Sequence, residues 1–273
     1  MIFNSLKLYL INFNPLINKI MKKQHLWLFS LLVAVFLMTG NYARAQKDTT
    51  FWMTMLEYRI HDESVFEKNY PTVRSWWLKA DEGIEYNRAA HTSESGRIYG
   101  MAFFKGSDNF GAFMAKRVKL NDDFAKKEPA INKENMKNIN GPILRSVWMR
   151  IDSLCNYEAG YKMESYDFRK IQFISVTADK IKEFEAAIRK QNELDAAHGI
   201  KYNFIIFRCT DGYPSNTYIL ALPDKSLLDY YNNREARRKI RDKAKSEYDA
   251  ANKLADDIST IVRIDHLIRV KIQ

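Results

Sequence analysis

Apolar residues recur along this chain in two rhythms. Between residues 51 and 270, short stretches rich in β-branched and aromatic residues alternate with longer ones whose apolar positions return every three or four residues. The first rhythm is that of strands, the second that of amphipathic helices. Residues 51–61 read as a strand. Residues 62–82 read as a helix that Pro71 kinks, or that starts near Asn69. Residues 86–92 and 97–104 form a hairpin, 108–138 are helical and 144–151 are a strand. The same order then returns. Residues 170–176 are a strand, followed by a helix over 178–198 with Ile181, Phe184, Ile188 and Leu194 on one stripe. Thr177 can cap its start and Gly199 can take the left-handed position at its end. Strands 201–209 and 217–222 flank a turn at 210–214, residues 224–257 are helical, and 260–270 is the last strand.

The recurrence extends to residues. Gly83-Ile84-Glu85-Tyr86-Asn87 returns 116 positions later as Gly199-Ile200-Lys201-Tyr202-Asn203. By the last strand the offset is 119, which aligns Arg150 with Arg269 and Ile151 with Val270. Each copy is β-α-β-β-α-β, the ferredoxin-like order. The expected domains are 46–151 and 168–273, joined by a linker at 152–167. Each unit carries helices on one sheet face only, so the bare face needs a cover, and two units can cover each other.

This paired order resembles the dimeric α/β-barrel superfamily, fused here into a single-chain pseudo-dimer. The resemblance spans almost all of 51–270 and rests on element order and the recurring Gly-Ile-x-Tyr-Asn. It implies an α+β fold with antiparallel sheets packed barrel-like. The superfamily includes cofactor-poor monooxygenases, haem-degrading enzymes and uncharacterised members, so it implies a small-molecule pocket and names no reaction.

Strand alternation assigns candidate site residues to the inter-sheet space. On the last strands, Ser146, Trp148 and Arg150, and Asp265, Leu267 and Arg269, face inward. The more apolar sets, Arg145, Val147, Met149 and Ile151, and Ile264, His266, Ile268 and Val270, meet the helices. On the first strand Glu57, Arg59 and His61 face inward. A face holding Glu57, Arg59, Trp148, Arg150, Asp265 and Arg269 is unusually polar for a core. Buried charges must be paired or must meet a ligand. One reading is a pocket for a small acidic or aromatic ligand. The other is a set of Arg–carboxylate pairs welding the sheets. His61 and His91, on the first two strands, converge on a haem or proton-transfer site, or else are strand-end surface residues. His198 sits at a helix end and His266 on a helix-facing position. Trp76 and Trp77 are adjacent on a helix, so one leaves the buried stripe and either packs at the domain junction or presents a contact patch. The run 234–245 carries seven basic and two acidic residues and reads as a solvated helix face.

The first 45 residues follow another logic. Met21-Lys22-Lys23-Gln24-His25, the apolar run 26–38 and Thr39–Ala45 form the n-region, h-region and Ala-x-Ala site of a signal peptide. The run is short of the roughly 20 residues that a bilayer span takes. Cleavage leaves Gln46 first, in the periplasm or outside the cell. Residues 1–20 read as an upstream extension, with Met21 as the true start. A two-part membrane anchor is the competing reading, and its Asn residues and Pro15 argue against it.

Composition changes the picture at this point. The whole chain has 43 Lys plus Arg against 33 Asp plus Glu, a net charge of +10. Lys7, Lys19, Lys22, Lys23 and Arg44 lie in the targeting segment, which has no acid, so the mature chain is only half as basic. A nucleic-acid partner loses its support. Two cysteines, Cys155 and Cys209, exclude a disulfide-dense scaffold and a four-cysteine zinc site. An oxidising compartment would let them pair, although a strand thiol is more often simply buried. The chain has no His-Glu-x-x-His, Gly-x-Ser-x-Gly, P-loop, Gly-x-Gly-x-x-Gly or Cys-x-x-Cys. The sequence therefore suggests an exported protein, a monomer or weak homo-oligomer, that binds a small molecule. No metal is implied and haem is the alternative. An assembly role through Trp76 or Trp77 is a third reading.

Overall fold

The fold was read from a computed structural model, which describes residues 48–80, 83–84, 86–157, 161 and 165–271. The expected signal peptide, cleavage site and upstream extension lie outside the described residues.

Eight strands form one closed barrel. They are β1 (Phe51–Ile60), β2 (Tyr86–Ser93), β3 (Arg97–Lys105), β4 (Ile139–Arg150), β5 (Phe168–Val176), β6 (Ile205–Asp211), β7 (Thr217–Asp224) and β8 (Ser259–Arg269). Their order around the barrel is β1-β3-β2-β8-β5-β7-β6-β4, with every pairing antiparallel. Each half has the order β4-β1-β3-β2 or β8-β5-β7-β6. The free edges pair across halves, β2 with β8 and β4 with β6. The two sheets thus merge into one barrel rather than stacking as separate layers, and no edge remains open.

The helices lie outside. They are α1 (Glu63–Ala80), α2 (Ser107–Lys127) and α3 (Pro129–Asn138) in the first half, and α4 (Ile181–Ala197), α5 (Leu227–Lys243) and α6 (Lys245–Ile258) in the second. Helix α1 runs through Pro71 from Glu63 and does not start near Asn69. Its first turn is set by Asp62, whose carboxylate accepts from the backbone N–H and hydroxyl of Ser64. The helical region after β3 breaks ahead of Pro129, which opens α3. Helix α4 ends as expected at Gly199, whose φ is 66°, with Ile200 N–H donating back to the Asp195 carbonyl. The strand expected from residue 201 begins only at Ile205, because Phe204 bridges to Asn156 of the linker.

Alternation fills the barrel with Met53, Met55, Tyr99, Met101, Phe103, Trp148, Ile171, Phe173, Ile205, Phe207, Cys209, Ile219 and Leu267, all nearly inaccessible. In the second half, Ile174, Val176, Phe184, Ile188, Ile206 and Tyr218 fill the space between sheet and helix.

Asp195 organises the helix layer of the second half. It has no exposed surface. Its carboxylate accepts from Tyr202 at 2.9 Å, from Tyr248 at 2.9 Å and from the Arg241 guanidinium, Nε at 3.0 Å. Helices α5 and α6 are thereby drawn onto α4. The outer face of β8 is left open, as is that of β4 in the first half. Ile264 and Ile268, expected under helices, are 44% and 56% exposed. His266 on that face rests against Phe168 and Tyr230 and bonds Glu94. Trp77 is buried and Trp76 packs edge-on against Phe124, so both rings are used in packing.

Asp195→Ala leaves Arg241 and two buried hydroxyls without their acceptor. We expect a loss of about 3 kcal/mol or more in urea unfolding, whereas exposed Glu235→Ala should leave the unfolding midpoint unchanged.

Candidate functional site

The barrel interior is closed at one end by a polar knot. Arg263 Nη2 lies 2.5 Å from Glu57 Oε2, and its Nε lies 3.0 Å from Asp265 Oδ2 but is misaligned for a hydrogen bond. Its guanidinium sits 3.8 Å over the Phe173 ring. Tyr99 donates to Asp265 at 2.5 Å, Ser95 donates to the same carboxylate at 2.9 Å, and Tyr213 donates to Glu57 at 2.8 Å. Burial, reinforced by the Asp265 hydrogen bond, raises the Tyr99 phenol far above its usual range. Burial and Glu57 push Tyr213 up to about 12. The two carboxylates and one guanidinium join β1 and β3 of the first half to β8 and the β6–β7 turn of the second. Gly212 in that turn has a φ of 92°, and an added Cβ would lie 2.2 Å from the Arg145 carbonyl oxygen, so this position is closed to side chains.

The sequence-predicted residues divide. Glu57, Trp148 and Asp265 face inward as expected. Trp148 Nε1 donates to Ser146 at 2.7 Å. Arg150 stays at the rim, stacked 4.1 Å over Phe51 and paired with Asp152. Arg59 and His61 are exposed beyond a register shift in β1 and do not enter the barrel. His91 is fully buried and its Nε2 contacts the Arg169 guanidinium. Arg269, half-buried, pairs with His91 along the β2–β8 seam. The two histidines are therefore not brought together. Alternation alone would have placed Arg263 and Tyr99 inside. Cys155 and Cys209 are free thiols. The remaining interior cavity, lined by Met53, Met101, Tyr161 and Arg169 among others, measures only about 20 Å³. That is room for a water, not a ligand.

More space than in the interior lies on the other side of the sheet, although a shallow surface hollow of about 580 Å³ beside Asn156, Gly199 and Tyr202 is larger still. Two adjoining cavities of about 210 Å³ and 100 Å³ separate the outer face of the first half from its helices, and Leu56, Arg88 and Gly100 belong to both. The wider one is walled by Trp77, Phe113, Phe124, Arg117, Asn121, Asn132 and Arg145, and the narrower by Tyr58, Phe66, Tyr70, Val73, Ala90 and Asn138.

Strand register distinguishes the sheet under this cleft from its counterpart in the second half. Across the first sheet the outward row is Arg145–Leu56–Gly100–Ala90. The same row of the second is Ile264–Gln172–Leu220–Ile206. One row along, Ala102 stands where the second half has Leu222, and Arg88 where it has Phe204. Gly and two Ala thus replace three large aliphatic residues, and two arginines replace an isoleucine and a phenylalanine. Position-by-position comparison of the two copies was the sequence signal that could have found it.

The cleft does not suit haem. None of its walls is a histidine or cysteine. Burial pushes the Tyr58 phenol up to about 12, and the Tyr70 oxygen already accepts the Ala90 N–H. Among the described residues no cluster of three His, Cys, Asp or Glu side chains could hold a metal.

This architecture is that of the dimeric α/β-barrel proteins. No family model matches the chain, and no curated protein matches it. Solved structures do. A proposed monooxygenase of Fusobacterium nucleatum superposes with a TM-score of 0.56 at 14% identity, covering 82% of this chain and 94% of its own. One from Lactobacillus acidophilus gives 0.51 at 12%, covering 81% and 95%. A proposed chlorite dismutase gives 0.50 at 10%, covering 82% and 96%. At these identities the likeness establishes the fold.

Burial, with Arg169 and Arg269 adding to it, holds the His91 pKa well below 6.5. The unfolded chain binds a proton there below about 6.5 and the folded chain does not, so this stability is full above that pH and lost beneath it. The loss should reach about 1.4 kcal/mol per pH unit. Urea melts at pH 7.5 and 5.5 should show His91→Gln losing less stability on acidification than the parent, by about 1 kcal/mol.

Proposed function

We propose that this chain is an exported single-chain pseudo-dimer, two ferredoxin-like units at 46–151 and 168–273, that binds a small molecule in the sheet–helix cleft of its first unit. The observation that carries this is the cleft itself. A space of about 210 Å³ is held open on a floor of Gly100 and Ala102, with Ala90 under the adjoining cavity, at positions the second half fills with large aliphatic residues. Aromatic and aliphatic walls with a few polar groups are what small-molecule sites are made of. The barrel interior, the first place to look by sequence, serves as the weld between units. The partner is thus a small molecule and not a nucleic acid. The neighbours' names lend a catalytic reading no residue in this cleft, so binding is the function put forward.

The test fills the cleft from its floor. Gly100 has no positive φ, and an added Cβ would meet Leu56 at 3.7 Å, an ordinary contact. Gly100→Leu, which copies Leu220, should fold with an unchanged or higher Tm. It should bind the neutral fluorophore N-phenyl-1-naphthylamine at least about tenfold more weakly than the parent. Equal binding by both would remove the cleft as the site. For export, N-terminal sequencing of the protein recovered from expressing cells should begin at Gln46. An N-terminus at Met1 or Met21 on all of it would refute cleavage.

A further inference from the structure

The cleft walls carry charge of one sign. Arg88 and Arg145 come from the sheet and Arg117 from α2, and no aspartate or glutamate lines either cavity. Arg88 lies 4.3 Å over the Trp77 ring, spanning sheet to helix. Arg117 has only the thioether of Met114 at 3.6 Å as a hydrogen-bond partner, and neither Arg117 nor Arg145 forms an ion pair among the described residues. Four other guanidiniums differ from those of Arg117 and Arg145 in this respect. Arg263, Arg241, Arg238 and Arg150 all meet carboxylates. Two of the three cleft arginines also stand where the second half has Phe204 and Ile264, so the replacements that open the space are accompanied by ones that charge it. The narrower cavity is different in kind, its walls being chiefly aliphatic and aromatic.

We propose that the cleft selects organic anions with an apolar body, an aromatic or aliphatic carboxylate or sulfonate, whose acidic group is bound by Arg117 and Arg145 while its body lies along Leu56 and Gly100. This deepens the cleft reading above and rests on it. Arg117 is half-buried and Arg145 exposed, so a ligand reaches both from solvent, and the planar fork of a guanidinium matches a carboxylate or sulfonate. Asn121 and Asn132 add neutral polar groups to the same cavity.

Two fluorophores that share an aromatic body separate the charge claim from the cleft claim. They are neutral N-phenyl-1-naphthylamine and anionic 8-anilinonaphthalene-1-sulfonate. The parent protein should bind the anion at least about tenfold more tightly at low ionic strength. Arg117→Gln/Arg145→Gln should lose about tenfold for the anion and change the neutral probe by less than about twofold. Gly100→Leu should weaken both. Equal affinity of the parent for the two probes, or a double variant with undiminished anion binding, would overturn the anion selectivity while the cleft stands. Failure of the parent to bind either probe, or anion binding that survives Gly100→Leu, would overturn the cleft with it. Each single Arg→Gln variant provides a check should the double variant not fold.

Discussion

A four-stranded sheet with helices on one face leaves its other face apolar and wet, and everything else in this molecule follows from how that face is buried. Edge pairing of β2 with β8 and β4 with β6 closes both bare faces onto each other and removes every open edge at once. Closure determines what the interior can contain. Eight strands enclose a space that side chains fill, and here Trp148, Phe103, Phe173, Phe207 and four methionine or leucine side chains fill it. The charges left inside must then satisfy one another. Arg263 is shared between Glu57 and Asp265, and three hydroxyls complete the two carboxylates. A ligand site in the interior would have to displace that knot.

The constraint leaves the outer layers free to differ. In the second half the helix layer is bound tightly, with α5 and α6 tied to α4 through Asp195 and aliphatic residues from β6 and β7 filling the gap. In the first half no such hub draws the helices down. Its helices rest on rings instead. Trp77, Phe104, Phe113 and Tyr86 interlock, Trp76 meets Phe124, and Trp52 stacks on Phe110. These side chains stand off the sheet farther than leucine would, over a floor of glycine and alanine.

Much of the frame was legible in the sequence because it depends on local periodicity. The strands, the long helices and the inward direction of Glu57, Trp148 and Asp265 all follow from spacing along one segment. What escaped depends on relations between segments. Arg59 and His61 were assigned by extending the alternation of β1, and the register shift after Glu57 ends that alternation. Ile264 and Ile268 are apolar and so are expected under helices, yet the helices of each half leave the outer face of its last strand open. The partner of His91 is Arg169, 78 residues away across the seam, which no periodicity reports. The cleft escaped for a different reason. Its evidence is what the floor lacks, visible only when each small residue is set beside its counterpart in the other copy.

A cleft in a core is ordinarily destabilising, since truncating a single buried leucine or isoleucine to alanine costs about 2–5 kcal/mol. Three such differences in one layer would compete with the whole stability of a typical domain. The figure applies, however, to a cavity in a layer built to be full. Here the helices are held at their height by rings that contact one another, and each aromatic pair contributes about 0.5–1.5 kcal/mol beyond its burial. The Arg88 guanidinium adds a prop between β2 and α1 by lying on Trp77. The space beneath is therefore maintained by its walls rather than by the residues missing from its floor. That distinction makes Gly100 a position where added bulk should not strain the fold, and it separates a site from a packing defect. A defect would let the helices settle onto the sheet, whereas these walls cannot settle without separating the rings that hold the layer together.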